Sequence, residues 1–276
     1  MAQPLEVRLF DQNMEHLPYA SNTIDPDPCH VRWSREDTWD CNTVWATEKV
    51  VNRLMCSDVL DRPAVAWLIE PRWFAAQAYD EALAMRGRLK AIVTFDLELL
   101  TNLDCCRFGA WGGSWIRRDD WRLYEKTQGV SLIASQNRTA PGHVLQHDCV
   151  RLVSKEHLFG RGYRPMDYKL PALAPYRYTI VVMSERRDFY ISEKLIDAFA
   201  TGTIPLFWGC PSIGELFNED GIIPFETPDE LETILKGLGP EHYAERLRAV
   251  QDNFYTAWRY RNVEDLYHSH HPDLFR

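Results

Sequence analysis

Residues 191–211, ISEKLIDAFATGTIPLFWGCP, constrain the fold more than any other stretch of this chain. Ser192 suits a helix N-cap, Glu193 suits a first turn, and Leu195, Ile196, Ala198 and Phe199 supply an apolar face. Gly202 provides a turn, and residues 204–208 form a continuous apolar run closed by Trp208-Gly209. A helix passing directly into a strand that is apolar on both faces is half of a βαβ unit. Such strands belong to parallel sheets covered by helices on both sides.

The same rhythm runs through the chain. Apolar strands are expected at 64–69, 90–95, 131–135, 157–159, 178–183, 204–208 and 221–225. Helices are expected at 43–60, 76–85, 97–103, 142–154, 192–200, 212–217, 229–236 and 241–260. FGAWGGSWI, residues 108–116, reads as a glycine-tryptophan loop, and His268, His270 and His271 read as part of a solvated tail. A chain of 276 residues accommodates two modest α/β domains, divided near Gln128-Gly129 into 1–129 and 130–276. Ligands in such sheets bind beyond the carboxyl ends of the strands. The turns after Ser135, Phe159, Met183 and Trp208 should therefore share one face.

Net charge of −9 and the lack of a basic run argue against a nucleic-acid partner, while leaving room for a local basic pocket. The start, MAQPLEVRLFDQ, has neither the basic residues nor the apolar core of a signal peptide, and no apolar run is long enough to span a bilayer. Seven cysteines without a C-x-x-C pair fit reduced thiols and no zinc site, so a cytoplasmic protein without a transmembrane segment is expected.

The candidate chemistry begins at Lys194. A helix N-terminus attracts phosphate through its amides and partial positive charge, and a lysine placed there against the dipole adds a full charge for an anion. Glu193 beside it can accept hydrogen bonds from ribose or sugar hydroxyls. Tyr190 either covers the same site or packs as core. Arg161, in the glycine-flanked turn FGRG, suits a phosphate, and Lys169 is a weaker candidate. Glu70 ends the apolar run AWLIE, and Pro71 stops the strand there, so its carboxylate is either a catalytic base or an ion-pair partner of Arg72 or another surface cation. Asp96, at the end of the next strand, competes for the role of base.

The ordered set Tyr190, Ser192-Glu193-Lys194 and Gly202-Thr203-Ile204-Pro205 also resembles the donor-binding segment of the alpha-1,3-fucosyltransferases, glycosyltransferase family ten. The resemblance implies two Rossmann-like domains facing across a cleft, the GT-B architecture. It also implies inverting transfer of fucose from GDP-fucose, the nucleotide-sugar donor, to a hydroxyl of a glycan acceptor. No metal and no further cofactor are expected, since no D-x-D motif stands in a suitable loop and a helix terminus with basic side chains can serve in place of a cation. The chain resembles a soluble bacterial or viral-type member without an N-terminal anchor. Glu70 falls where the family has its proposed base, and Arg161 in a similar glycine-arginine turn. SQNRTAPGHVLQHD, residues 135–148, resembles the strand-turn-helix that delivers a phosphate-binding arginine; this chain has Gln146 at that place, with Arg138 earlier and Arg151 later. Met183-Ser184-Glu185 stands where the family usually shows Glu-Asn-Ser, which puts Ser184 at the pocket floor. These departures leave two alternatives, a different nucleotide-sugar donor or a non-catalytic sugar-nucleotide-binding module.

Overall fold

A computed structural model of the chain describes residues 3–12, 14, 22–36, 41–56 and 58–276. Among them every strand pairing is parallel, in two separate sheets. The chain divides into two compact units, Met1–Gly113 with Asn262–Arg276, and Ser114–Arg261. The sequence places the change-over near Gln128-Gly129, which here opens the first strand of the second unit. The passage from one unit to the other falls earlier, within the glycine-tryptophan loop, and the chain returns to the first unit at its end.

The first unit holds β1 (Leu5–Phe10), β2 (Val31–Ser34), β3 (Val44–Thr47), β4 (Ala64–Leu68), β5 (Ala91–Thr94) and β6 (Cys106–Phe108), in the order β2-β1-β3-β4-β5-β6. β3 and β4 are buried at every position, as strands covered on both faces must be. The connections are a 3-10 segment, Glu48–Met55, then α1 (Arg72–Ala84) and α2 (Leu97–Asn102). Residues 43–60 are therefore not one helix. Their first part, rich in Val, Trp and Thr, pairs with β1 and β4 instead, and residue 57 lies outside the described residues. Trp33, Trp45 and Trp67 are buried together, with Trp33 and Trp45 centroids 5.3 Å apart and Trp45 edge-on to Trp67 at 6.1 Å. These indoles serve the core.

The second unit holds β7 (Gln128–Ile133), β8 (Leu158–Phe159), β9 (Tyr176–Val182), β10 (Ile204–Trp208) and β11 (Ile223–Pro224), in the order β11-β10-β9-β7-β8. Its helices are α3 (Pro141–Val150), α4 (Leu170–Leu173), α5 (Glu193–Ala200), α6 (Pro228–Gly237), α7 (Pro240–Ala244) and α8 (Leu247–Trp258). The single helix expected over 241–260 is broken into α7 and α8, and before the break Tyr243 sends its hydroxyl to Gly202 O at 2.7 Å.

The histidine-bearing C-terminus is not a solvated tail. It forms α9 (Val263–His270), whose Val263, Glu264, Leu266 and Tyr267 are buried, and Leu274 and Phe275 follow into the first unit's core. Tyr267 receives the Trp67 indole N–H at 3.2 Å, and His271 Nε2 bonds Phe108 O at 2.8 Å. No helix of the described residues is long and apolar enough to cross a membrane.

Numbered within its own unit, each sheet has the order 2-1-3-4-5, with β6 added at one edge of the first. In this arrangement the crossovers leave in opposite directions from strands 1 and 3, and the gap between those two carboxyl ends is where ligands bind. The switch points are β1/β3 in the first unit and β7/β9 in the second.

Candidate functional site

A cavity of about 270 Å³ opens at the β7/β9 switch point of the second unit. Its wall is built from Ala134 and Ser135 after β7, Val182 at the end of β9, His143 and Gln146 on α3, and the turn after β8. Glu193, Lys194 and Asp197 on α5 face it from the other side, together with Lys169. Of the residues singled out from sequence, Glu193, Lys194, Arg161, Gln146 and the weaker candidate Lys169 line this one cavity.

Local structure explains each placement. Ser192 caps α5, its hydroxyl accepting from Lys194 N at 3.4 Å, so the first turn faces the end of β9. Lys194 Nζ donates to Val182 O at 3.3 Å, which holds the ammonium at the strand's carboxyl end. Arg161 follows Gly160, whose φ of +108° is open to glycine alone at low cost and whose missing Cβ makes room for Ala134 O. The Arg161 side chain is exposed and makes no hydrogen bond or ion pair with the described residues. Gln146 is buried and turned back on β7, accepting from Ser135 N at 3.4 Å and donating to Ile133 O at 3.4 Å. Gly142, near the start of α3, packs its amide on Ser184 O at 3.0 Å where a Cβ would overlap Met183 O.

Lys169 and Asp197 form the floor. Lys169 Nζ donates to Asp197 Oδ2 at 2.6 Å and lies 3.8 Å from Glu193 Oε1. Asp197 Oδ1 accepts from Ser114 Oγ and Trp115 N, both at 2.8 Å. Lys169 is therefore largely neutralised by its carboxylates, and the other cationic side chains on the cavity wall are Lys194 and Arg161. His143, near Lys194, is held below the usual histidine range, first by burial and then by that ammonium.

The other expected donor residues are not part of the cavity lining. Tyr190 is buried and its hydroxyl meets Ser184 Oγ at 2.8 Å, so the two pin the loop before α5 to the end of β9. Phe189 in that loop has φ of 59°, an uncommon conformation for a bulky side chain, and its amide donates to Cys210 Sγ and Ser212 Oγ. Arg138 is exposed in the turn before α3, outside the cavity lining. Arg151, at the far end of α3, pairs with Asp229 at 3.5 Å.

Glu70 belongs to the first unit, where a cavity of about 330 Å³ sits at that unit's own switch point. Gln12 after β1, Glu48 after β3 and Glu70 after β4 line it, with Phe74 and Gln77 from α1. Arg72 pairs with Glu98 at 3.7 Å and Asp96 at 4.0 Å, so the Glu70–Arg72 ion pair does not form. Asp96 is buried and caps α2, its Oδ1 accepting from Leu99 N at 3.1 Å, and it is outside the lining of this cavity. Glu48 is buried, and its Oε1 accepts from Ile69 N at 2.5 Å and Glu70 N at 2.6 Å.

Sequence reading missed Glu48 and Asp197. Asp197 had a visible signal, a lone carboxylate inside the apolar run LIDAFA, since a buried charge requires a partner. Glu48 stood inside a segment read as helix, where a glutamate is unremarkable.

No family model matches the chain. A stretch of 69 residues is 32% identical to the alpha-(1,3)-fucosyltransferase FucT of Helicobacter pylori, spanning 24% of this chain and 14% of that enzyme. Among solved structures, an alpha-1,3-fucosyltransferase with GDP-fucose matches 88% of this chain and 81% of its own, with a TM-score of 0.54 at 16% identity. TarM matches 85% of this chain and 54% of its own at a TM-score of 0.58 and 9% identity. Anabaena HepE in complex with UDP-glucose matches 84% and 78%, at 0.56 and 10%. At these identities the likeness establishes the fold, a two-sheet α/β architecture of the GT-B glycosyltransferase type.

Proposed function

We infer that this protein is an inverting glycosyltransferase that moves fucose from GDP-fucose to a hydroxyl of a glycan acceptor. The observation that carries the reading is the second unit's switch-point cavity, with Lys194 and Arg161 on its wall and Lys169 held by Asp197. That cavity suits a diphosphate: two cationic side chains and the first turn of α5 can neutralise the charge that grows on the leaving nucleotide. Glu193 is placed to accept hydrogen bonds from sugar or ribose hydroxyls. The local sequence likeness to a fucosyltransferase and the shared fold support this donor class.

In this reading Glu70 takes the proton from the acceptor hydroxyl. The acceptor oxygen then forms its bond to the anomeric carbon while the bond to the diphosphate breaks, with inversion at that carbon. No metal or further cofactor takes part. Tyr190 and Ser184 act by holding the loop that precedes α5, and Arg138 is a second cation available to the diphosphate from the turn before α3.

A second reading keeps the reaction and changes the nucleotide sugar. Gln146 favours it, because an amide bonded to β7 contributes no charge where the fucosyltransferase resemblance expects an arginine. Nucleotide release from a panel of nucleotide sugars, with and without glycan acceptors, tests both. Release from GDP-fucose supports the first reading, release only from another donor supports the second, and tight binding without turnover of any donor points to a binding module.

A further inference from the structure

The first unit's cavity contains a carboxyl that the proposed reaction does not use. Glu48 is only 6% exposed, yet it lines this cavity beside Glu70. Its two oxygens are treated differently. Oε1 accepts two short backbone hydrogen bonds, from the amides of Ile69 and Glu70. Oε2 is buried with no hydrogen-bond partner among the described residues. No ion pair among those residues reaches Glu48, and the charged groups that share its cavity are Lys49, Glu70 and Glu81.

A buried carboxylate oxygen with neither cation nor donor is costly, of the order of several kcal/mol, and such a group normally keeps its proton. A protonated carboxyl has one carbonyl oxygen that only accepts and one hydroxyl that donates. The contacts of Glu48 match that division, with Oε1 in the accepting position and Oε2 left to donate. Burial pushes the Glu48 carboxyl up to about 7 against the pull of three backbone amides, those of Glu70, Glu48 itself and Ile69, and the neighbouring Glu70 charge adds a smaller push upward.

We propose that Glu48 binds the acceptor as a neutral carboxylic acid, its Oε2–H donating to a hydroxyl or ring oxygen of a sugar seated in this cavity next to Glu70. The rest of the lining suits that ligand class. Gln12, Asn52 and Gln77 are amide side chains that both donate and accept, and Phe74, 60% exposed at the start of α1, offers a ring face to the apolar side of a sugar. Through Oε1 the same carboxyl fixes the backbone of Glu70. This inference rests on the transferase reading, because only a transferase needs an acceptor here.

The test compares wild type, Glu48→Gln and Glu48→Leu. Glutamine reproduces the neutral acid, a carbonyl oxygen for the two amides and a donor in place of Oε2–H; leucine has neither. The expected result is an acceptor KM raised at least tenfold in Glu48→Leu and restored to within threefold of wild type in Glu48→Gln. A Glu48→Gln variant as impaired as Glu48→Leu would mean that the charge is needed and would overturn the proposal, as would a Glu48→Leu variant with wild-type acceptor KM. A wild-type-minus-Glu48→Gln infrared difference spectrum at pH 6 reads the same group without any ligand and without the leucine variant. A protonated carboxyl band supports the proposal and a carboxylate band overturns it. If wild type releases nucleotide from no donor, the transferase reading itself falls, which the infrared result does not depend on.

Discussion

Lys169 Nζ donates to Asp197 Oδ2 at 2.6 Å beneath the second unit's cavity, and the same ammonium is 3.8 Å from Glu193 Oε1. The pair ties the segment before α4 to the buried face of α5, while Asp197 Oδ1 receives Ser114 Oγ and Trp115 N. Lys169 thus sits between two carboxylates, and Lys194 and Arg161 are the other cations on the cavity wall.

Removing one member of a buried pair strands the other. Lys169→Met should destabilise the protein by roughly 3–5 kcal/mol, because Asp197 would remain buried without its cation. The double variant Lys169→Met/Asp197→Asn should recover much of that loss, since a neutral amide can keep the Ser114 and Trp115 bonds. Urea titration of both variants checks this; equal loss in the two would show that the carboxylate's charge is not the cause.

Glu70→Gln should cut transfer by roughly a hundredfold or more while donor binding stays close to wild type. Glutamine keeps the size and hydrogen bonding of the side chain but cannot take the acceptor proton. The backbone amide of residue 70, held by Glu48 at 2.6 Å, is unchanged by the substitution. Turnover at the wild-type rate would place the proton elsewhere, and lost donor binding would make Glu70 a structural residue.

Excess EDTA should leave turnover unchanged. Lys194 and Arg161 line the cavity proposed for the diphosphate, and with Arg138 they would balance the leaving group's charge without a metal. Loss of activity in chelator, with recovery on adding manganese or magnesium, would contradict that charge balance.

Glu48 makes stability depend on pH. Its carboxyl is held at about 7 in the folded protein against an ordinary 4.5, chiefly by burial. Between these values the folded state keeps a proton that the unfolded chain has released. The contribution is therefore complete below about pH 4.5, is lost as pH rises through about 7, and is worth about 3 kcal/mol. The stability difference between wild type and Glu48→Gln, measured by denaturant titration from pH 4 to 8, should shift against wild type by that order. A difference that does not change with pH would show that Glu48 titrates normally.

The second unit was the more legible half because its central strands are buried on both faces. The apolar run at 204–208 coincides with β10, and Ser192 caps α5 as its side chain predicts. The first unit hid more. β1 carries Glu6 and Arg8 within it, which breaks the apolar run that marks a buried strand, and β3 is short enough to merge with the 3-10 segment that follows. The return of α9 to the first unit depends on Tyr267 meeting Trp67, a contact 200 residues apart that no local pattern encodes. In the site, residues of one motif, Glu193 and Lys194, were readable from their order. The Lys169–Asp197 pair and the Glu48–Glu70 contact were not, because each joins separate elements that only the sheet topology brings together.

In the proposed function, the cavity between the ends of β7 and β9 holds the diphosphate of a nucleotide sugar against Lys194. Calorimetric titration of wild type and Lys194→Ala with GDP tests it most directly. Wild type should bind GDP, and Lys194→Ala should bind at least tenfold more weakly, about 1.4 kcal/mol or more, with its fold intact by circular dichroism. A folded wild-type protein that does not bind GDP, or a Lys194→Ala variant that binds it as tightly as wild type, would mean that this cavity is not a diphosphate site.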